Sequence, residues 1–266
     1  MTFVAGVSSN ATEGRLYFVS ESHGLAIERV DGAPRVPLGA APEDAIFLGA
    51  LDGQACFAAD ARHAGGREIV SLRHLHTALS DEDFSVAMRA LGLVAWDRDH
   101  RHCGRCAART QRSSSERSRV CTACGHGVYP RISPAVIVLV ERDGKALLAR
   151  SHRFPVPFFS TLAGFVELGE TLEETVVREI HEEAGIAVKN VRYFGSQPWP
   201  LGGSLMVGFT AEWAAGEIVL EAAELAEAAW FAPDALPTIP PRLSIARALI
   251  DDFVQRRVQS RGRSPG

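Results

Sequence analysis

The chain lacks an apolar run long enough to span a bilayer. Its longest, Ala135 to Val140, falls far short of the roughly 18–20 residues a spanning helix needs. No basic N-terminal stretch leads into an apolar segment, so the expectation is a cytoplasmic protein with no secretory signal and no membrane partner. Positive charge is not in excess. The 28 Lys+Arg stand against 32 Asp+Glu, a net charge of −4, which argues against a chain whose main task is coating nucleic acid. Binding of one nucleotide or one RNA end is still open. Cysteine is scarce and odd in number, five in 266 residues. With no leader, that argues against a disulfide framework and for metal binding.

What is present is an ordinary globular composition, 46% hydrophobic and 23% charged, enough apolar content to bury a core. The length suggests two domains, or one with an extension. Residues 1–98 show short apolar stretches (Leu16 to Val19, Ala45 to Leu48, Ala55 to Ala58) that read as strands. Residues 81–96 follow with helical spacing at Phe84, Met88, Leu91 and Ala95. This β-rich N-terminal domain carries no catalytic motif. Residues 99–128 form a small separate unit with an exposed polar hairpin tip at residues 113–116. Residues 129–258 form the third unit. Its expected elements are a buried strand over 135–140, a turn at Asp143-Gly144, and a returning strand over 146–149. A helix over 171–184, a strand over 205–213 and a closing helix over 244–258 complete it. From Arg256-Arg257 the chain turns basic and Ser/Gly-rich, and residues 259–266 are expected to be a disordered tail.

Four cysteines lie in two C-x2-C pairs, Cys103 with Cys106 and Cys121 with Cys124. Two such knuckles place four thiolates about one tetrahedral zinc and leave no open position, so this Zn2+ would be structural, one per chain. Redox pairs are the competing reading, but nothing around them resembles a thioredoxin-like unit. His102 and His126 read as surface neighbours, and Cys56 is left over. Zinc ribbons often bind nucleic acid, so a binding module is carried forward as an alternative.

The segment from Gly164, GFVELGETLEETVVREIHEEAGI, reads as a capped helix. Thr171 with Glu174 is a capping box, Leu172, Val176 and Ile180 share a face, and Gly185 ends the helix. Glu179, Glu182 and Glu183 stand at i, i+3 and i+4, so three carboxylates leave one side within a turn. Such a group is tolerable on a solvated face or when held by hard divalent cations. The segment fits G-x5-E-x7-R-E-U-x-E-E-x-G-U, with U aliphatic, at every fixed position: Gly164, Glu170, Arg178, Glu179, Ile180, Glu182, Glu183, Gly185 and Ile186. It thereby resembles the Nudix hydrolase superfamily. The resemblance implies an α+β chain: a Nudix α/β/α sandwich with a zinc ribbon and the N-terminal β-rich domain.

Ser196-Gln197-Pro198-Trp199-Pro200, the ribbon just before the box, Tyr129-Pro130, and Ile245-Ala246-Arg247 with Leu249-Ile250 are similar to the NADH pyrophosphatase branch, also described as NAD-cap RNA hydrolases. The resemblance runs from about residue 98 to 258; over 1–97 only the order of elements agrees. It implies hydrolysis of NADH or NAD+ to the mononucleotide and AMP, removal of NAD caps from RNA 5′ ends, and a homodimer. It implies Mg2+ or Mn2+ held by Glu179, Glu183, Glu224 and the Ala163 carbonyl. Glu182 would bind metal or position water, Arg178 would orient a glutamate, and Glu170 would support the loop. For Glu224 the competing reading is a solvated acid beside Glu221 and Glu227. Tyr129 and Phe165 are implied stacking aromatics, with core packing the alternative for Phe165. Gln197, Pro198, Trp199 and Ser204 would line a recognition loop, and Ala246 would offer a backbone contact. Glu116 and Arg73 would touch substrate, unless they are plain surface charges. Leu201-Gly202-Gly203 departs from the Phe-Pro that usually follows SQPWP, and two glycines loosen that loop. The alternatives are a Nudix hydrolase preferring ADP-ribose or another nucleoside diphosphate, and a zinc-ribbon module that only senses a nucleotide.

Overall fold

The computed structural model describes residues 2–152, 158–199 and 203–261. The chain divides into two units, residues 1–132 with 200–203, and residues 133–199 with 204–266.

The first unit opens with β1 (Phe3–Ala5), β2 (Glu13–Val19), β3 (Gly24–Val30), β4 (Ala33–Arg35), β5 (Leu38–Ala40), β6 (Ile46–Leu51), β7 (Gln54–Asp60) and β8 (Glu68–Ser71). They form one sheet in the order β1-β6-β7-β2-β3-β4, with β5 on β2 and β8 on β3. Strand alternation decides the packing. Tyr17 and Val19 of β2 join one core, and Leu16 and Phe18 join the other. A one-turn helix α1 (Leu72–Leu75) precedes α2 (Asp81–Asp99). The latter starts where the Ser80 hydroxyl accepts from the Asp83 N–H, and it lays Val86, Ala87, Ala90, Leu91 and Trp96 into the Tyr17 core. The leftover Cys56 is a buried side chain of β7 in that same core, and burial pushes its thiol up. The ribbon follows as β9 (Thr110–Arg112), β10 (Arg119–Cys121) and β11 (Gly127–Val128), three antiparallel strands. The buried Asp97 of α2 ties it down. Its carboxylate accepts two bonds from Arg112, 2.7 and 2.8 Å, and a third from Arg119.

The second unit contains β12 (Ser133–Arg142), β13 (Lys145–Ser151), β14 (Leu162–Phe165), α3 (Leu172–Ala184), β15 (Ala187–Trp199), β16 (Ser204–Ala215), β17 (Leu225–Phe231) and α4 (Ile245–Arg261). The sheet order is β15-β16-β12-β13-β17, with β14 on β12 and β12 parallel to β16. Alternation again separates two cores. Val136, Val138 and Val140 meet Val176 and Ile180 of α3, while Ile137 and Leu139 meet Leu249, Ile250 and Phe253 of α4. This is an α/β/α sandwich. The Asp143-Gly144 turn has φ 50° and 77°, the doubly left-handed pattern of a tight hairpin.

Two expectations are corrected. Ser196 to Trp199 do not lie in a loop. They end β15 and pair with β16, Pro198 opposite Leu205 and Trp199 opposite Ser204. Proline is tolerated because β15 is an edge strand. Pro200, Leu201 and Gly202 lie outside the described residues, while Gly203 has a left-handed φ of 71°. The closing helix also runs three residues beyond the expected end at 258. α4 runs to Arg261, because Arg256 and Arg257 both donate to Glu141 and fasten its last turns to the sheet. Residues 262–266 lie outside the described residues.

Candidate active site and metal centres

Helix α3 begins with the capping box. The Thr171 hydroxyl accepts from the Glu174 N–H, and the Glu174 carboxylate accepts from the Thr171 N–H at 2.8 Å. It ends at Gly185, left-handed with φ 71°. Within this frame Glu183 is buried, the Glu179 side chain is 13% exposed and the Glu182 side chain 56% exposed. The three acids thus share a helix face but not an environment.

Arg178 joins them. Its guanidinium donates to Glu170 at 2.6 and 2.9 Å, to Glu179 at 2.9 Å, to Glu182 at 2.9 Å and to the Phe165 carbonyl at 2.9 Å. Glu170 also accepts from the Glu167 N–H and the Thr175 hydroxyl. The Arg178 bonds, with the Glu167 N–H, hold the Glu170 carboxyl at about 2. Glu179 shifts the other way. Burial pushes its carboxyl up by more than the Arg178 bonds lower it, and the Glu182 and Glu224 charges add to the rise.

Glu179 reaches back to β14, where Gly164 pairs with Val136 of β12. A Cβ at Gly164 would sit 1.8 Å from the Glu179 carboxyl carbon and 2.1 Å from each of its oxygens. Ala163, whose carbonyl is a predicted ligand, is the preceding residue of the same strand. Glu224 arrives by a pinned loop. The Val219 and Glu221 N–H groups donate to the Ala184 and Glu183 carbonyls, and the Ser151 hydroxyl donates to the Glu224 carbonyl at 3.1 Å. Glu227, its rival in sequence, faces Arg150 at 3.6 Å. A carboxylate seated against strand backbone, pushed up by burial and by two further acids, is a donor set that a hard divalent cation would relieve. The chemistry of these residues suits such an ion, while among the described residues only the four cysteines bring three or more ligand atoms within 4.8 Å of one another.

The second metal centre fits zinc. The four cysteine sulfurs lie within 4.8 Å of one another. Cys103 and Cys124 are 3.8 Å apart, and Cys106 is 3.5 Å from Cys121 and from Cys124. Tetrahedral Zn–S bonds of about 2.3 Å require sulfurs about 3.8 Å apart. The knuckles repeat each other in their backbone, where the Ala107 N–H donates to the Cys103 carbonyl and the Gly125 N–H to the Cys121 carbonyl. Sulfur accepts in each, from the Arg105 N–H at Cys103 and from the Cys124 N–H at Cys121. A left-handed residue follows each pair, Ala107 at φ 59° and Gly125 at φ 70°. N–H groups of Cys124 and Ala123 pull the Cys121 thiol down to about 6, toward the thiolate that binds metal.

The remaining predicted residues are distributed between the units. In the first, Tyr129 is 56% exposed and donates its hydroxyl to both oxygens of Glu116, at 3.0 and 3.1 Å. Arg73 is exposed on α1. In the second, Phe165 is 58% exposed, so it is not a core residue. Ser204 is buried, Trp199 half-buried and Pro198 exposed. Gln197 is engaged within the fold. Its amide donates to the Leu243 carbonyl and accepts from the Ile245 N–H, both at 2.8 Å, fixing the start of α4 beside Ala246. Sequence reasoning missed this role, and it missed Glu141 as the anchor of Arg256 and Arg257. Only the helical continuation of the apolar face past Phe253 could have signalled the latter.

Comparison with known proteins agrees with the geometry. Residues 130–253 match the NUDIX domain, and residues 98–129 match the NADH pyrophosphatase zinc ribbon domain. Residues 10–96 match the NADH pyrophosphatase-like rudimentary NUDIX domain. The chain is 45% identical over 215 residues to the NAD-capped RNA hydrolase NudC of Pseudomonas putida, covering 79% of this chain and 78% of that one. It is 40% identical over 244 residues to the protein of the same description from Deinococcus radiodurans, covering 90% and 84%. A crystal structure of a Nudix hydrolase from Nitrosomonas europaea superposes with a TM-score of 0.51 at 21% identity, over 62% of this chain and 95% of that one, a likeness of fold. Among the described residues, no helix is long and apolar enough to cross a membrane. With an intact box, a four-cysteine ribbon and these relatives, the chain belongs to the Nudix hydrolases, in the family of NADH pyrophosphatases and NAD-capped RNA hydrolases.

Proposed function

We propose that the protein is a divalent-metal-dependent diphosphatase. It hydrolyses NADH and NAD+ to nicotinamide mononucleotide, reduced or oxidised, and AMP. It also removes NAD caps from RNA 5′ ends, leaving a 5′-monophosphate. The observation that carries this reading is the Arg178 network, which holds Glu170, Glu179 and Glu182 in one place with Glu179 seated over Gly164. The identity of the relatives as NAD-capped RNA hydrolases supports the substrate class.

In the reaction, the oxygen of a water bonds to one phosphorus of the diphosphate. The bond from that phosphorus to the bridging oxygen breaks, and the bridging oxygen leaves on the other phosphate. When bound, Mg2+ or Mn2+ neutralises the diphosphate, polarises the phosphoryl group and lowers the pKa of water. Glu179, Glu183, Glu224 and the Ala163 carbonyl would hold it, and Glu182 would orient water. Arg178 acts through the acids it binds and is a positioning residue. Phe165 and Tyr129 present exposed rings for stacking on a base or nicotinamide. Gln197 acts by setting the α4 start, and with it the backbone of Ala246. Pro198, Trp199 and Ser204 frame the end of the β15–β16 hairpin on the substrate side. Glu116 and Arg73 are proposed substrate contacts of the first unit. A homodimer, a cytoplasmic location, and boundaries near residues 98, 128 and 258 complete the reading.

The test is a product analysis with NADH, NAD+, ADP-ribose and NAD-capped RNA in parallel, each with Mg2+ and Mn2+. Reduced mononucleotide and AMP from NADH are expected. Preference for ADP-ribose would reassign the specificity, and no turnover of any substrate would favour a sensor. Glu183→Gln should lower turnover by orders of magnitude in a folded protein; wild-type turnover would remove Glu183 from the site.

A further inference from the structure

At the end of the second unit remote from Gly164, a cavity of about 570 Å³ opens between the β12–β13 turn, β15, β16 and the end of α4. From Val136, beside Gly164, to Arg142 at the cavity is six steps along β12, roughly 20 Å at about 3.3 Å per residue. The chain as a whole is acidic, yet Arg142, Lys189, Arg192, Arg256 and Arg257 all line this one cavity.

The acids there are mostly engaged. Glu141 accepts from Arg256 and Arg257, and Glu212 accepts from the Asn190 amide at 2.9 Å. Asp143, 89% exposed, and Glu217 flank Arg142 at 3.7 and 3.6 Å. The Arg142 guanidinium lies 4.0 Å over the Trp213 ring, which fixes a cation against the wall. Lys189 and Arg192 are exposed on the edge strand, and among the described residues neither has an ion pair or a side-chain hydrogen bond. Two unspent cations beside a stacked third, in a wide polar cavity, are suited to successive phosphates of a flexible strand.

We propose that this cavity binds the phosphodiester backbone of the RNA body downstream of the cap. The inference rests on the capped-RNA reading above. A dinucleotide held at the box does not extend 20 Å along β12; a single strand leaving it does. The site therefore contributes to capped RNA and not to NADH.

The experiment is the double variant Lys189→Ala/Arg192→Ala, both exposed and outside the box. It is assayed on NADH and on an NAD-capped transcript several tens of nucleotides long. Removing two single-strand phosphate contacts should lower kcat/KM for the transcript about 25-fold at about 0.1 M salt, with the slope of log affinity against log salt flatter by about 0.7 per contact. NADH hydrolysis should be unchanged. Equal transcript activity in variant and wild type overturns the proposal, as does a parallel loss on both substrates. Binding of an uncapped 5′-monophosphate RNA, read by fluorescence anisotropy, separates the two readings. If the wild type fails to remove caps, the substrate reading falls. The cavity then stands or falls on whether the variant binds that RNA more weakly.

Discussion

The carboxylate of Glu179 occupies the space that a side chain at Gly164 would fill, its carboxyl carbon only 1.8 Å from where a Cβ would sit. A methyl group at 164 meets the far end of a flexible side chain rather than backbone, so the fold tolerates it while the carboxylate is driven out. Gly164→Ala should leave the melting temperature within a few degrees of wild type. Turnover should fall about 10²-fold, the cost of displacing a catalytic group by an ångström. Steady-state kinetics beside a thermal melt decide it, and full activity would show that Glu179 works from another position.

Arg178 makes stability acid-sensitive in a defined window. Glu170 is held at about 2 in the folded protein, against 4.5 ordinarily. Because the folded value is depressed, the contribution is complete above about 4.5 and is lost as pH falls toward 2. Arg178→Gln abolishes the cause. Urea unfolding should show a stability gap between wild type and variant that is constant near neutrality and narrows from pH 4.5 downward. A gap that persists undiminished to pH 2 would contradict the assignment.

Asp97 is the clamp between α2 and the ribbon strands. Burial pushes its carboxyl up, but the bonds from Arg112 and Arg119 outweigh burial and hold it below the usual range. Asp97→Ala strands the buried Arg119 without a counter-charge. The variant should lose about 3–5 kcal/mol in chemical denaturation. A loss below 1 kcal/mol would mean that water or a shifted side chain takes the place of the carboxylate.

At the position after each cysteine pair the first zinc knuckle has alanine and the second glycine, both left-handed. Alanine is strained there, so Ala107→Gly should stabilise the ribbon by about 0.5–1 kcal/mol, the strain relieved less the added freedom of the unfolded chain. Cys103→Ser should act oppositely and release the zinc, as metal analysis with circular dichroism would record. A zinc-loaded, fully stable Cys103→Ser protein would refute the four-sulfur site.

The box and the ribbon were readable in the chain because their chemistry demands fixed local spacing. Three acids within one helical turn and two C-x2-C pairs leave little freedom. The Asp143-Gly144 turn and the α3 caps were readable for the same reason. β15 was not. Its alternation is broken by Asn190 at φ 53°, by register shifts near Lys189 and Tyr193, and by Pro198, which only an edge strand accepts. Gln197 bonds to residues 46 and 48 positions away, a pairing set by the sheet and invisible to any local pattern. The cationic cavity is likewise assembled from a turn, two strands and a helix end. The second layer of meaning in residues 10–96 lay in fold-level similarity, with no chemical motif to announce it.

Arg178 is a cation that never leaves. In the acidic face of α3 it serves as a resident counter-ion, bridging Glu170, Glu179 and Glu182. The two proposed metal centres should therefore respond to chelation in opposite ways. The acid cluster keeps its own neutraliser, so withdrawing the ion proposed there should abolish activity without unfolding the chain, and adding metal back should restore it. The four clustered thiolates of the ribbon have no such substitute, and for that segment the zinc would be the core itself.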